Sequence, residues 1–585
     1  MKSRSLLFII AALVFIKLAA PSLLGAQEHP HYKLIDLGTL NGPQSYVYIQ
    51  SNYAPVLNDQ GTVAGWADTS IYSDPFSPYC FNQDCYVSHA FESSNGTPSD
   101  LGALSSGVSS AASWISANGL IAGWSENGST DPSFPVPGIP VTHAVLWKDS
   151  VITDLQTLKD GYQSVGLAVN NRGQVVGAAD NGTDDSNPMS SDYYGWVTQT
   201  RAFLWDPQDD VMQDLGTLPG GTDAVALLIN NREPPQIVGV SYTSSAPSAY
   251  CANLGASLTT GAFLYEDGKM KNIGSFGGTC TFPTDLNDQG QIVGLSTLKG
   301  DKYQHAFFWE NDSGTPKFHE LPNAIGGKNS AAIQMNNDGV AVGWVSTSTG
   351  LLPQVAALWK DREMKLLGSV DGDPCSDADS INSKGQVVGF SAPACDYGQE
   401  RAFLWENGSL ADLNTLIPPD STLYLTTPVT INDRGEIAGV GLDSSGNQHA
   451  FLLIPCSHDD DACQDAAGYP AFRPVPANNQ NAVRGIFRAV SRSANEISPL
   501  NTSAAGSADM TERTLAVDES ANKTGDALPE LSDALDAGVS RFETARKCGY
   551  TGMPCYLPKE YGRCCPGLKC VFHGGSTRAG YACEK

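Results

Sequence analysis

The chain has 585 residues, of which 41% are hydrophobic, 17% charged and 9% aromatic, with 59 Gly and 35 Pro. That balance suits a turn-rich all-β protein with a sizeable core, and it argues against a helical or disordered chain. The formal charge of −27 excludes nonspecific nucleic-acid binding, which needs a basic surface able to release counterions.

The amino terminus reads as a signal peptide. Lys2 and Arg4 precede an apolar run over 6–20, interrupted by Lys17, and small residues at Leu24-Gly25-Ala26 place the expected cleavage after Ala26. The run is short against the roughly 20 residues that span a bilayer, so a secreted chain, extracellular or periplasmic, is expected in place of a membrane anchor. Fourteen cysteines, an even number, fit an oxidising compartment.

From residue 31 to residue 455 three phrases recur in fixed order, eight times each. The first is Asp-Leu-Gly-Thr-Leu, at 36–40, 100–104, 154–158, 214–218 and 412–416, with weaker copies at Asn272, Glu320 and Leu366. The second is an Asn-x-x-Gly turn leading into a strand that ends in Gly. It starts at Asn58, Asn170, Asn230, Asn287, Asn336, Asn382 and Asn432, with a variant at Ser116. The third is His/Arg-Ala-Phe-Leu-Trp, opening at His89, His143, Arg201, Gly261, His305, Val355, Arg401 and His449.

All three are short, rich in Val, Ile, Leu, Phe and Trp, and bounded by turn residues, so they read as strands joined by tight antiparallel hairpins. Each unit then carries four strands in about 53 residues, near the roughly 40–50 of a four-stranded propeller blade. The expectation is a β-propeller of eight four-stranded blades over 27–455, with seven blades or an open β-solenoid as alternatives.

The ends of the array favour closure. It opens on a first phrase at Asp36 with no third phrase before it and finishes on a third phrase at His449 with no first phrase after it. Across the units, His89 goes with Asp100, His143 with Asp154, Arg201 with Asp214, His305 with Glu320 and Arg401 with Asp412. Where the base is missing the acid is missing too: Gly261 goes with Asn272 and Val355 with Leu366. His449 with Asp36 then completes the rule, and each pair reads as a cross-strand contact worth roughly 0.2–1 kcal/mol. These phrases resemble the extracellular repeat family named for its His-Ala-Phe motif. The resemblance covers about residues 32–455 and implies secretion and a propeller-like repeat, with no established activity.

Little in the array points to catalysis. Four of the nine histidines, His89, His143, His305 and His449, occupy one repeat slot that arginine also fills, and arginine cannot act as a base. Trp147, Trp205, Tyr265, Trp309, Trp359 and Trp405 sit inside apolar strands and read as core more than as a sugar platform. There is no nucleophile elbow, zincin helix or phosphate loop, and no cofactor is implied. The acidic stretches at 180–185 and 458–461 read as solvated turns in preference to calcium sites, since neither follows an EF-hand loop. Long connections at 68–87, 126–141, 179–199 and 242–260 all follow the Gly that ends the second phrase, and they mark one face as a binding surface or as tolerated loop growth. Cys80 with Cys85, Cys251 with Cys280, Cys375 with Cys395 and Cys456 with Cys463 read as loop staples.

Residues 456–547 turn to Ala, Ser, Asn, Asp and Pro and read as a linker. Beyond them, Cys548, Cys555, Cys564, Cys565, Cys570 and Cys583 are spaced six, eight, none, four and twelve residues apart, a spacing that leaves fifteen pairings open. Residues 548–585 carry +3 and everything before them −30. With the segment Gly562-Arg563-Cys564-Cys565-Pro566-Gly567-Leu568-Lys569-Cys570, this tail resembles the knottins, the inhibitor cystine knots. That resemblance implies Cys548–Cys565, Cys555–Cys570 and Cys564–Cys583, and a recognition role for Tyr556, Lys559, Arg563, Lys569, Phe572 and Arg578; a protease-resistant cap is the alternative. The whole reads as a monomeric, noncatalytic binding protein for an extracellular protein, glycan or membrane surface. An extracellular enzyme acting on carbohydrate and a delivered toxin or inhibitor are the alternatives.

Overall fold

A computed structural model of the chain describes residues 29–47, 55–72, 86–94, 96–133, 139–189, 196–252, 256–312, 314–324, 327–395 and 399–456, together with two strands near the carboxyl terminus. The expected signal peptide, most of the expected linker and most of the cysteine-rich tail lie outside the described residues. Two compact units divide the chain, residues 1–498 and 499–585. Among the described residues no helix is long and apolar enough to cross a membrane.

The first unit is all-β and made chiefly of four-stranded antiparallel sheets. One of them shows how the phrases build it. Ser164–Val169 is buried along its whole length, as its unbroken apolar run requires. It turns at Asn170, whose Oδ1 accepts the N–H of Arg172 at 3.0 Å and of Gln174 at 3.2 Å, while Gly173 takes the positive φ of 81° that the hairpin demands. Val175–Asp184 runs back, Thr198–Asp206 carries the His/Arg-Ala-Phe phrase, and Val211–Asp214 leads the first phrase on the outside.

The same order recurs in the sheets that start at Asn41–Tyr46, Ser110–Ile115, Ser330–Met335 and Cys375–Ile381. The units starting at Ala224–Ile229 and Gly277–Leu286 are joined into one eight-stranded sheet by a parallel bridge between Thr260 and Cys280. The Cys251–Cys280 disulfide ties the same point, and a second disulfide links Cys375 to Cys395. In the remaining sheet Tyr424–Ile431, Ile437–Leu442 and Gln448–Pro455 are completed by Tyr32–Gly38, antiparallel, with Asp36 opposite Phe451.

The core lies between neighbouring sheets. Val342 and Ala356 of one sheet pack with Ala378, Val387, Phe403 and Trp405 of the next, and Leu37, Val47, Val63 and Phe91 pack with Val429, Ala438 and Leu452. Phe91, Phe203, Phe263, Phe307, Phe403 and Phe451 of the third phrase are fully buried, each worth about 1.5–3 kcal/mol. Polar links accompany them. The alanine of the third phrase donates its N–H to a serine that opens the next inner strand, as in Ala90 to Ser110 and Ala356 to Ser376, both 2.9 Å. Ala450 to Ser45, also 2.9 Å, joins the last sheet to the first.

The second unit contributes a two-stranded antiparallel ribbon, Lys569–His573 with Gly580–Glu584, in which Cys570 stands opposite Cys583.

The glycine that follows the two apolar residues of the second phrase is set by close approach. A Cβ at Gly177 would meet the Val165 carbonyl oxygen and the ring of Phe203. Gly177→Ala should therefore destabilise the first unit by about 1–3 kcal/mol, read as a lower urea midpoint; an unchanged midpoint would show that the inner strand gives way freely.

Candidate functional site: an asparagine-belted cavity

The asparagines that open the hairpin turns also reach out of them. Asn170 Nδ2 donates to the Asn230 carbonyl, Asn230 to Asn287 and Asn287 to Asn336, each at 3.2 Å. Asn336 donates to the Asn382 carbonyl at 3.1 Å, Asn382 to Asn432 at 2.9 Å and Asn432 to Asn58 at 3.0 Å. Asn58 reaches Ser116 at 3.5 Å, and in the serine variant Asn118 takes over, donating to the Asn171 carbonyl at 2.8 Å. The chain of bonds thus returns to the turn from which it began. A second row lies beside it: Asp433 N–H donates to Asp59 Oδ1 at 3.0 Å, Ser383 N–H to Asp433 Oδ1 at 2.8 Å and Asn231 N–H to Asp288 Oδ1 at 2.9 Å.

This belt surrounds a cavity of about 330 Å³ lined by turns from every repeat. Within it, residues at β-bulges of the inner strands differ from unit to unit. Asp285 accepts the Met335 N–H at 2.7 Å and the Leu286 N–H at 2.8 Å. Gln334 Oε1 accepts the Ile381 N–H at 2.9 Å, Ser380 the Ile431 N–H at 3.2 Å and Thr430 the Val56 N–H at 3.3 Å. At the corresponding bulge near the start of the array stands Trp114. Burial pushes the Asp285 carboxyl up to about 6, against the pull of its two N–H donors.

The basic and acidic residues of the first and third phrases lie on the outer strands, and none lines the cavity. His89 Nδ1 is 3.0 Å from Asp100, His143 2.9 Å from Asp154, His305 2.5 Å from Glu320 and His449 3.0 Å from Asp36; Arg201 Nε is 3.1 Å from Asp214. These are diagonal neighbours, since it is Phe91, not His89, that stands opposite Asp100. Arg401 departs from the pattern. It is 4.0 Å from Asp412 but 2.7 Å from Asp373 and 3.1 Å from Asp371, while Asp412 Oδ1 accepts the Asn414 backbone and side-chain N–H groups. Gly261 faces Asn272 without a charge, and Val355 and Leu366 are both apolar. The first-phrase acid also caps its own turn, with Asp36, Asp100, Asp154 and Asp214 each accepting the N–H two residues on, at Gly38, Gly102, Gln156 and Gly216.

Other acids serve the connections. Asp180 accepts the Tyr162 and Gln163 N–H groups and the Thr198 hydroxyl, and Glu126 accepts the Ser109 N–H; burial raises the pKa of both. Among the described residues no cluster of three or more His, Cys, Asp or Glu is placed to hold a metal ion. Asp377 and Asp379, on one inner strand, are different. Both are fully buried and held well above the usual carboxylate range, by burial first and, for Asp379, by the neighbouring Asp377 charge. Gln354 donates to Asp377 at 3.3 Å, while Asp377 Oδ1 and Asp379 Oδ2 have no partner. Neither lines the cavity.

Cys456 is disulfide-bonded; Cys80, Cys85, Cys463, Cys548, Cys555, Cys564 and Cys565 lie outside the described residues, as do Tyr556, Lys559, Arg563 and Arg578. Lys569 and Phe572 fall on the first strand of the ribbon.

No protein-family model and no curated protein matches the chain. Among solved structures it is similar to the β-propeller domain of the Trilobed protease from Pyrococcus furiosus, at 9% identity and TM-score 0.32 over 57% of this chain and 89% of that one. It is also similar to an oligogalacturonate lyase from Vibrio parahaemolyticus, at 10% identity and TM-score 0.37 over 72% and 97%. A third is the acylaminoacyl peptidase of Pyrococcus horikoshii, at 11% identity and TM-score 0.34 over 57% of this chain and 49%, about half, of the peptidase.

Two pH effects follow. The Asp36 hydrogen bond raises the His449 pKa over the opposing effect of burial, so this contact adds stability below the unfolded value of about 6.5 and loses it as pH rises through the folded value. His449→Gln should flatten the fall in Tm above that pH. The buried acids have the same sign: their neutral forms are favoured, so stability is lost as pH rises from the ordinary carboxylate value through the raised one. Asp379→Asn should melt above the parent at neutral pH and converge with it in acid; a lower Tm at neutral pH would show that an ionised pair is required.

Proposed function

We propose that the chain is a secreted, noncatalytic binding protein of the His-Ala-Phe repeat type. Its eight four-stranded units form the blades of a propeller closed by the Tyr32–Gly38 strand, and a linker tethers a knottin-like recognition module. The observation that carries the reading is the employment of the acids around the cavity. Asp285 spends both oxygens on backbone N–H groups, and Asp59, Asp288 and Asp433 each cap a neighbouring turn. Both oxygens of Asp285 are taken by N–H groups, whereas a general acid or base presents a free oxygen to substrate; the rim acids each commit Oδ1 to a neighbouring turn, and the resulting polar-rimmed cup suits recognition. The two disulfides fit the oxidising compartment that secretion supplies.

The second reading is an extracellular enzyme acting on carbohydrate; its candidate acids are Asp377 and Asp379, both raised by burial and both buried outside the cavity lining. The two readings separate on one comparison. The full chain and a chain lacking residues 547–585 are applied to arrays of glycans, anionic vesicles and extracellular proteins, and any bound glycan is checked for cleavage. Binding without turnover, unaffected by Asp377→Asn, supports the scaffold. Turnover abolished by Asp377→Asn or Asp379→Asn with the fold intact replaces it with the enzyme. Loss of all binding on removal of the tail assigns recognition to the module and leaves the repeats as its carrier.

A further inference from the structure

We propose that the asparagine-belted cavity takes a small organic cation of the ammonium class; this rests on reading that cavity as a binding site. The charge of the lining is one-sided. Asp59, Asp285, Asp288 and Asp433 contribute to it, and among the described residues no lysine, arginine or histidine does. Of the basic residues of the same turns, Arg232 is held on Gln236 at 3.2 Å and Arg434 on Glu436 at 2.6 Å, Arg172 is tied to the Asn231 carbonyl at 2.9 Å, and neither these nor Lys384 line the cavity. An anion entering this space meets carboxylates and backbone carbonyls with no countercharge, whereas a cation meets complementary groups on the rim.

Shape adds a second argument. Among the described residues Trp114 is the single aromatic side chain of the lining, standing where other units place Asp285, Gln334, Ser380 or Thr430. The cavity is therefore aromatic on one side and rich in oxygen acceptors on the other. An indole attracts a cation over its ring face, most strongly where water is excluded, and a volume of about 330 Å³ lies at the lower end of ligand pockets. A hydrated metal ion has no use for the indole, and among the described residues no metal-holding cluster is found; an alkylated ammonium uses both sides.

The test is calorimetric titration of the full chain with tetramethylammonium chloride, with glucose as the neutral probe. Saturable binding of tetramethylammonium that weakens about tenfold in Trp114→Leu, and less in Trp114→Phe, supports the proposal, as does severalfold weakening in the double variant Asp59→Asn, Asp433→Asn. Those two rim residues are exposed, and asparagine keeps the oxygen that caps the neighbouring turn, so the double variant is expected to fold even if Trp114→Leu does not. Tetramethylammonium binding indifferent to all these changes, or no saturable binding, overturns the proposal. Saturable glucose binding that is lost in Trp114→Leu overturns the ligand class but leaves the cavity a binding site, and the scaffold reading with it.

Discussion

The side-chain amide of the turn asparagine is the interaction on which the array depends. Its oxygen accepts two N–H groups of its own hairpin, which fixes the turn, and its nitrogen donates to the backbone of the next unit, which fixes the spacing between units. No other residue type provides both functions at this size: aspartate lacks the donor, and glutamine is a methylene too long for the local pair. Because each bond leads to the next turn, the sheets cannot rotate against one another one at a time. The cavity is as rigid as the belt around it.

Acidic residues divide into those employed by the backbone and those left over. The first-phrase aspartates cap their own turns, Asp180 and Glu126 hold loops, and Asp285 bridges two inner strands. Buried carboxylates with full sets of donors are ordinary scaffold, however shifted their pKa values. Asp377 and Asp379 are neighbours on one strand, each with an unsatisfied buried oxygen, as Asp223 also has. Burial favours the neutral form of both, and at the positions equivalent to Asp379 two other units place leucine, Leu167 and Leu227.

Strands, turns and the pairing of acid with base were legible because each repeats, and repetition turns one chain into its own comparison set. His449 and Asp36, 413 residues apart, could be matched only because five other pairs stand eleven to fifteen residues apart. The belt was not legible. Each asparagine is fully explained by its own turn, and its second partner is a backbone carbonyl 46–60 residues further on, or for Asn432 374 residues back at Asn58, that carries no sequence signal. Trp114 and Asp285 were hidden for a different reason. They occupy bulges, and a bulge reverses the facing that alternation along a strand would assign. Arg401 shows the limit of the pairing rule: two further acids, Asp371 and Asp373, lie closer to its guanidinium than Asp412 does, and nothing in the repeat announces them.

The Tyr32–Gly38 strand is made early and used last. Its partner, Gln448–Pro455, is synthesised some 413 residues later, an interval of roughly 20–80 s at ordinary translation rates of about 5–20 residues per second. Throughout that time the first strand carries unpaired N–H and C=O groups and an apolar face with nothing to cover it, the conditions under which edges find the wrong partner. Truncation anywhere before residue 455 therefore strands the beginning as well as removing the end.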